Sequence, residues 1–189
     1  MKKIFLILSL VVIQVSFGQE NFKLGDYTKT INKKIEFKYK NPLPPFQKSE
    51  ESYSSQGNTN LVSAYIARTT DNFVVLQIYA SNIPQKLKNI DWNSITNSDK
   101  ISKNFIDSFL GAANNTAMNI SKFRLNTING KDFLEVQSTL TVSGVTQKQI
   151  NWITLHKNTF INILGATLIN SFDKNVSFFT EFTQSVLIN

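Results

Sequence analysis

Residues 123–169, FRLNTINGKDFLEVQSTLTVSGVTQKQINWITLHKNTFINILGATLI, decide the fold. Three reversal signals cut this run into four pieces of strand length: Asn129-Gly130, Ser143-Gly144 and Lys157-Asn158. Asn-Gly is the strongest two-residue hairpin signal, because both positions accept the positive φ that a type I′ turn requires. The pieces between the turns, Phe123 to Ile128, Phe133 to Val142, Val145 to His156 and Thr159 to Ile169, are rich in Val, Ile, Thr and Phe. Those residues suit a pleated, half-buried surface. Long strands joined by such short turns pair with their neighbours, so the stretch predicts an antiparallel meander.

Working outward, Phe172, Val176, Phe179, Phe182 and Val186 recur at helical spacing. They predict a closing helix from about Ser171, capped by Asn170 with Asp173 at the third position. Upstream, Ile101, Phe105, Ile106, Phe109 and Leu110 form one apolar stripe that starts after Ser98 and stops at Gly111, a second helix. Leu61 to Arg68 and Phe73 to Ala80 read as two strands joined through Thr69 to Asn72, and Ser81 to Asn97 as a polar connection. Ile35, Phe37 and Tyr39 alternate with Lys34, Glu36, Lys38 and Lys40, a half-buried strand ended by Pro42, Pro44 and Pro45. Gln47 to Asn60 is a polar loop. The class is α+β: an antiparallel sheet of six or seven strands with two main helices, one domain over residues 31–189.

The N-terminus carries an export signal. Lys2 and Lys3 precede an apolar run from Ile4 to Ile13, and Ser16-Phe17-Gly18 supplies the small residues of a cleavage site before Gln19. The run is shorter than the roughly 20 residues of a spanning helix, so residues 1–18 read as a cleaved signal peptide and the mature form as free of a transmembrane segment. Residues 19–30 are polar, contain Gly25 and show no period, which suggests a flexible arm. The expected location is periplasmic or secreted. Cysteine is absent, so packing replaces disulfides.

Once Lys2 and Lys3 are removed, 18 basic side chains face 13 acidic ones, a net of +5. Seven lysines lie between Glu20 and Lys48. This basic segment suits a solvated strand face, or a weak contact with an anionic surface. Nucleic acid is not the expected partner of an exported chain whose only arginines are Arg68 and Arg124.

The turn Asn129-Gly130-Lys131-Asp132-Phe133, the run Asn151-Trp152-Ile153-Thr154-Leu155-His156-Lys157-Asn158, Gly165-Ala166-Thr167 and the helix start Phe172-Asp173-Lys174 together resemble the PsbP-like family and its relatives, the Ran-binding Mog-type proteins. The resemblance covers roughly residues 31–189. It departs at Pro42-Leu43-Pro44-Pro45-Phe46, where the family often has a Pro-Gly-Trp-like element. It implies an α-β-α sandwich around an antiparallel sheet. It also implies a binding or assembly accessory, since members mostly act in that way and many bacterial ones are exported.

No catalytic set is legible. His156, the single histidine, ends a strand beside a turn and has no nucleophile in a recognisable motif. One histidine and no cysteine leave little for zinc, and the acidic residues lack calcium-loop spacing. Asp132 and Glu135 are three apart and point to opposite faces of a strand, unlike a glycosidase pair. No cofactor is expected. Trp152 is expected in the core. Trp92, in a polar connection, joins Arg124 and His156 as possible ligand or partner contacts. Two functions follow. The first is a non-catalytic exported accessory that binds a protein partner or a small ligand; the alternative is a hydrolase of unrecognised type with a carboxylate in a pocket.

Overall fold

The structure is a computed structural model that describes residues 22–32, 35–49, 61–68, 72–83, 85, 88, 118–142 and 144–189. The expected signal peptide, the predicted helix after Ser98 and Trp92 lie outside these residues. In chain order the strands are β1 (Leu24–Asn32), β2 (Ile35–Pro42), β3 (Gln47–Lys48), β4 (Leu61–Arg68), β5 (Phe73–Asn82), β6 (Met118–Ile128), β7 (Lys131–Val142), β8 (Val145–His156) and β9 (Thr159–Leu168). A short 3-10 turn, Ile169–Ser171, leads into the C-terminal helix, Phe172–Ser185, and β10 (Leu187–Ile188) closes the chain.

The meander is as the turns dictate. β6, β7, β8 and β9 pair antiparallel with their sequence neighbours, and β9 continues to β5, β4 and β3 in a seven-stranded sheet. Asn129 and Gly130 take φ of 52° and 72°, and Lys157 and Asn158 take 48° and 58°, the left-handed pairs that two-residue hairpins require. β6 begins at Met118, ahead of the expected Phe123, and a register shift between Ile120 and Lys122 breaks its alternation.

The first strand of the sequence reading belongs to a separate sheet. β2 is flanked by β1 and β10 in a three-stranded layer. Residues 24–32 are therefore not a flexible arm. Their alternation is hidden by a register shift between Leu24 and Tyr27 and by the polar content of an edge strand. Phe37 and Tyr39 point inward and are fully buried. Outward, the Lys38 and Lys40 ammonium groups lie 4.9 and 5.7 Å from the centre of the Tyr27 ring. Much of the basic segment is thus a solvated strand face.

The C-terminal helix lies between the two sheets and buries Phe172, Phe178, Phe179 and Phe182. Phe182 meets Tyr39 of the small sheet at 6.2 Å between ring centres, and Phe178 stacks on Phe46 at 5.3 Å. On the large sheet the helix approaches Gly165 so closely that a Cβ there would fall 2.5 Å from Phe179 Cγ. Asn170 does not cap the helix. It sits in the 3-10 turn, and Ser171 takes the cap position without a side-chain hydrogen bond. The helix also stops before Val186, whose chain turns extended to reach β2. Among the described residues this is the single α-helix, so the large sheet has one described helical layer against one of its faces. No described helix is long and apolar enough to cross a membrane.

Candidate ligand site on the sheet face opposite the helix

Cross-strand partners share a face, so the pairing register sorts the large sheet into two surfaces. Val74, Leu76, Ile78, Ile161, Ile163, Ile150 and Trp152 face the helix and make the core. The alternate residues form the other face. One row across it runs Ile66, Val75, Ala166, Gln149, Ser138, and the next runs Gln77, Leu164, Asn151, Val136.

That second face carries an open cavity of about 540 Å³. Its walls are Ile66, Phe73, Val75, Leu140, Leu164 and Ala166, with polar groups from Arg68, Asn72, Gln77, Gln147 and Gln149. Arg68 is exposed and is the one charged side chain among the described residues of the lining. No ion pair among the described residues includes it. Gln77 and Gln149 are only 4% and 6% exposed, although alternation places both on the face away from the apolar core rows. Gln149 Nε2 donates to Ser138 Oγ at 3.1 Å, and Gln77 Oε1 accepts from the Tyr79 hydroxyl at 3.1 Å. Each glutamine therefore keeps one amide atom uncommitted: the Gln149 oxygen as acceptor, the Gln77 nitrogen as donor.

The neighbouring row holds a second amide pair. Asn162 Nδ2 donates to Asn151 Oδ1 at 3.0 Å. The complementary atoms, Asn151 Nδ2 and Asn162 Oδ1, are buried without a partner. Leaving a buried donor or acceptor unmade costs about 1–3 kcal/mol, and a buried water is the ordinary partner of such a pair.

The sequence-derived candidates lie elsewhere. Arg124 is on the helix-facing side of β6, where Nε and Nη2 each donate to Glu135 at 3.0 Å. Glu135, 2% exposed, also accepts from Trp152 Nε1 at 3.2 Å and Asn126 Nδ2 at 3.3 Å. Both carboxylate oxygens are occupied, and Arg124 anchors the carboxylate that orients the buried Trp152. Asp132 points away and accepts from Thr127 Oγ1 at 2.7 Å, as the three-residue separation predicts.

His156 ends β8, with Nδ1 3.3 Å from Lys131 Nζ. An ammonium only donates, so Nδ1 accepts and the neutral ring carries its proton on Nε2. Burial, then the charges of Lys131 and Lys157, hold the pKa of His156 below the ordinary histidine value. Neither Arg124 nor His156 lines the cavity. Among the described residues no group of three or more His, Asp or Glu side chains is placed to hold a metal ion. The cavity residues had a weak signal in the sequence: Gln77 interrupts an apolar strand, and Arg68 is one of only two arginines.

No protein-family model matches the chain, and no curated protein matches it. Solved structures do. Cyanobacterial PsbP (CyanoP) from Synechocystis superposes with a TM-score of 0.55 at 12% identity, covering 81% of this chain and 86% of that one. A Pseudomonas aeruginosa protein of unknown function, described as a putative regulator, gives 0.50 at 8% identity over 86% and 97%. LpqN of Mycobacterium tuberculosis, involved in cell envelope biogenesis, gives 0.49 at 10% identity over 90% and 93%. The chain has a fold resembling PsbP, as its turns and strand order suggest.

Proposed function

We propose that the mature chain is an exported, non-catalytic binding protein that holds an amphipathic small molecule in the cavity opposite the helix. The observation that carries this reading is the pairing of apolar walls with one guanidinium, Arg68, that no carboxylate among the described residues pairs with. Ile66, Val75, Leu140 and Leu164 suit an aliphatic body. A planar guanidinium without an internal carboxylate suits the anionic end of a ligand. Export rests on the leader, and the PsbP-like fold, used here by analogy, agrees with an accessory role. The hydrolase alternative calls for a carboxylate in a pocket, and the described residues that line this cavity include none.

Fluorescence titration with 11-(dansylamino)undecanoic acid and its methyl ester tests the proposal. The acid binds saturably at one site, and both the ester and the Arg68→Gln variant weaken binding about tenfold, the worth of one charge-assisted hydrogen bond. Ile66→Trp, which fills a half-buried wall, abolishes it. An acid that binds no better than its ester, or that ignores both substitutions, refutes the assignment.

A further inference from the structure

The outer face of the three-stranded sheet takes no part in the core or in the cavity. Phe37 and Tyr39 turn toward the helix and are fully buried, so the alternate residues Glu36, Lys38 and Lys40 look away from it. The register sets Ile31 opposite Glu36, Lys29 opposite Lys38 and Tyr27 opposite Lys40 on that outer face. Like charges directly opposite each other are destabilising. Glu36 relieves Lys29, at 3.2 Å, but no ion pair among the described residues includes Lys38 or Lys40. Their ammonium groups share the ring of Tyr27 instead. Beside them Ile31, at 70%, is the most exposed large apolar side chain among the described residues.

We infer that this face docks the mature chain on an anionic phospholipid bilayer. Lys38 and Lys40 meet headgroup phosphates, which supply the countercharge that the fold withholds from them. Tyr27 lies at headgroup level, where a ring with one polar end is favoured, and Ile31 reaches the acyl boundary. An acidic protein surface would match the lysines alone; the bare isoleucine on the same face favours lipid. Export, as read from the leader, brings the chain to a membrane surface. The helix and the large sheet stand between this face and the cavity, so the inference is independent of the ligand reading.

The test is co-sedimentation of the mature chain with vesicles of phosphatidylcholine alone and of equimolar phosphatidylcholine and phosphatidylglycerol. Binding is expected to the mixed vesicles only. It should fall at least about tenfold from 0.1 to 1 M salt, as the screening length shortens from about 10 to about 3 Å. Lys38→Gln and Lys40→Gln together are expected to weaken it about 25-fold, about fivefold for each lysine. Ile31→Ser is expected to weaken it about threefold or more. Lys122→Gln with Lys174→Gln removes the same charge from exposed positions elsewhere and is expected to cost about twofold at most. A urea midpoint close to that of the wild type shows that each variant is folded. Absence of binding to the mixed vesicles overturns the assignment. So does a control pair that loses as much as the Lys38 and Lys40 pair, since binding would then follow net charge, or an Ile31→Ser variant that binds like the wild type. Capture of poly-L-glutamate without capture of vesicles would give the face to an acidic protein and overturn the lipid reading.

Discussion

Removing Arg124 tests whether that residue is spent on the fold or free for a partner. Its guanidinium makes two charge-assisted bonds to Glu135, whose side chain is 3% exposed, while the Arg124 side chain itself is 56% exposed. The two truncations are therefore unequal. In Arg124→Ala the Glu135 carboxylate stays buried with only Trp152 Nε1 and Asn126 Nδ2 as donors. Stripping one partner from a buried pair costs about 3–5 kcal/mol, and the solvent edge at Arg124 places this case near 3. In Glu135→Gln the arginine rehydrates, so the loss is that of an ordinary charged hydrogen bond, about 1.5 kcal/mol. Once Glu135 is neutral, Arg124→Ala should cost under about 1 kcal/mol, as for an exposed side chain. The double-mutant cycle then gives a coupling of at least about 2 kcal/mol. For a domain of this size, about 3 kcal/mol lowers Tm by roughly 6–12 °C. Urea unfolding of the wild type, both single variants and the double variant measures every corner of the cycle, and Trp152 fluorescence reports on its own anchor. A coupling within about 0.5 kcal/mol of zero refutes the reasoning and returns Arg124 to the surface as a candidate contact.

Two further outcomes follow from the packing and the charges. Gly165→Ala places a methyl 2.5 Å from Phe179 Cγ, and Phe179 is fully buried. Overpacking should cost about 1–3 kcal/mol, exceeding the 0.4–1 kcal/mol or so that a less flexible unfolded chain returns; an unchanged urea midpoint would show that the helix can shift away freely. His156 has a folded pKa held below its unfolded value, so the unfolded state binds more protons as the solution is acidified. Stability should therefore be intact above about pH 6.5 and begin to fall below it. Glu36, whose pKa is lowered chiefly by its hydrogen bond to Lys29, adds a separate loss at lower pH, below its ordinary carboxylate value. His156→Asn should flatten the first of these slopes and leave the second; thermal melts between pH 4 and pH 8 read both.

The contrast between what the residues disclosed and what they concealed has a physical basis. Asn129-Gly130 and Lys157-Asn158 are local: two residues with left-handed backbones set a hairpin register and with it the order of four strands. Trp152 could be placed in the core from its apolar neighbours alone, and it is fully buried. β1 and β10 are non-local. Neither has an apolar period of its own, and each exists because β2 offers an edge on either side: Thr28 pairs with Tyr39, and Ile188 with Phe37. The candidate site is less legible still, since its polar members come from β4, β8 and the start and middle of β5 and meet only through the register. A glutamine in a strand reads as a solvent-facing residue, yet Gln77 and Gln149 are buried on the face away from the helix. Arg124 shows the converse. A rare arginine on an exposed strand reads as a contact residue, until the partner eleven positions away proves to be a buried carboxylate. In this fold the informative arginine is Arg68, which has no carboxylate partner among the described residues, and the sheet register rather than any sequence motif identifies it.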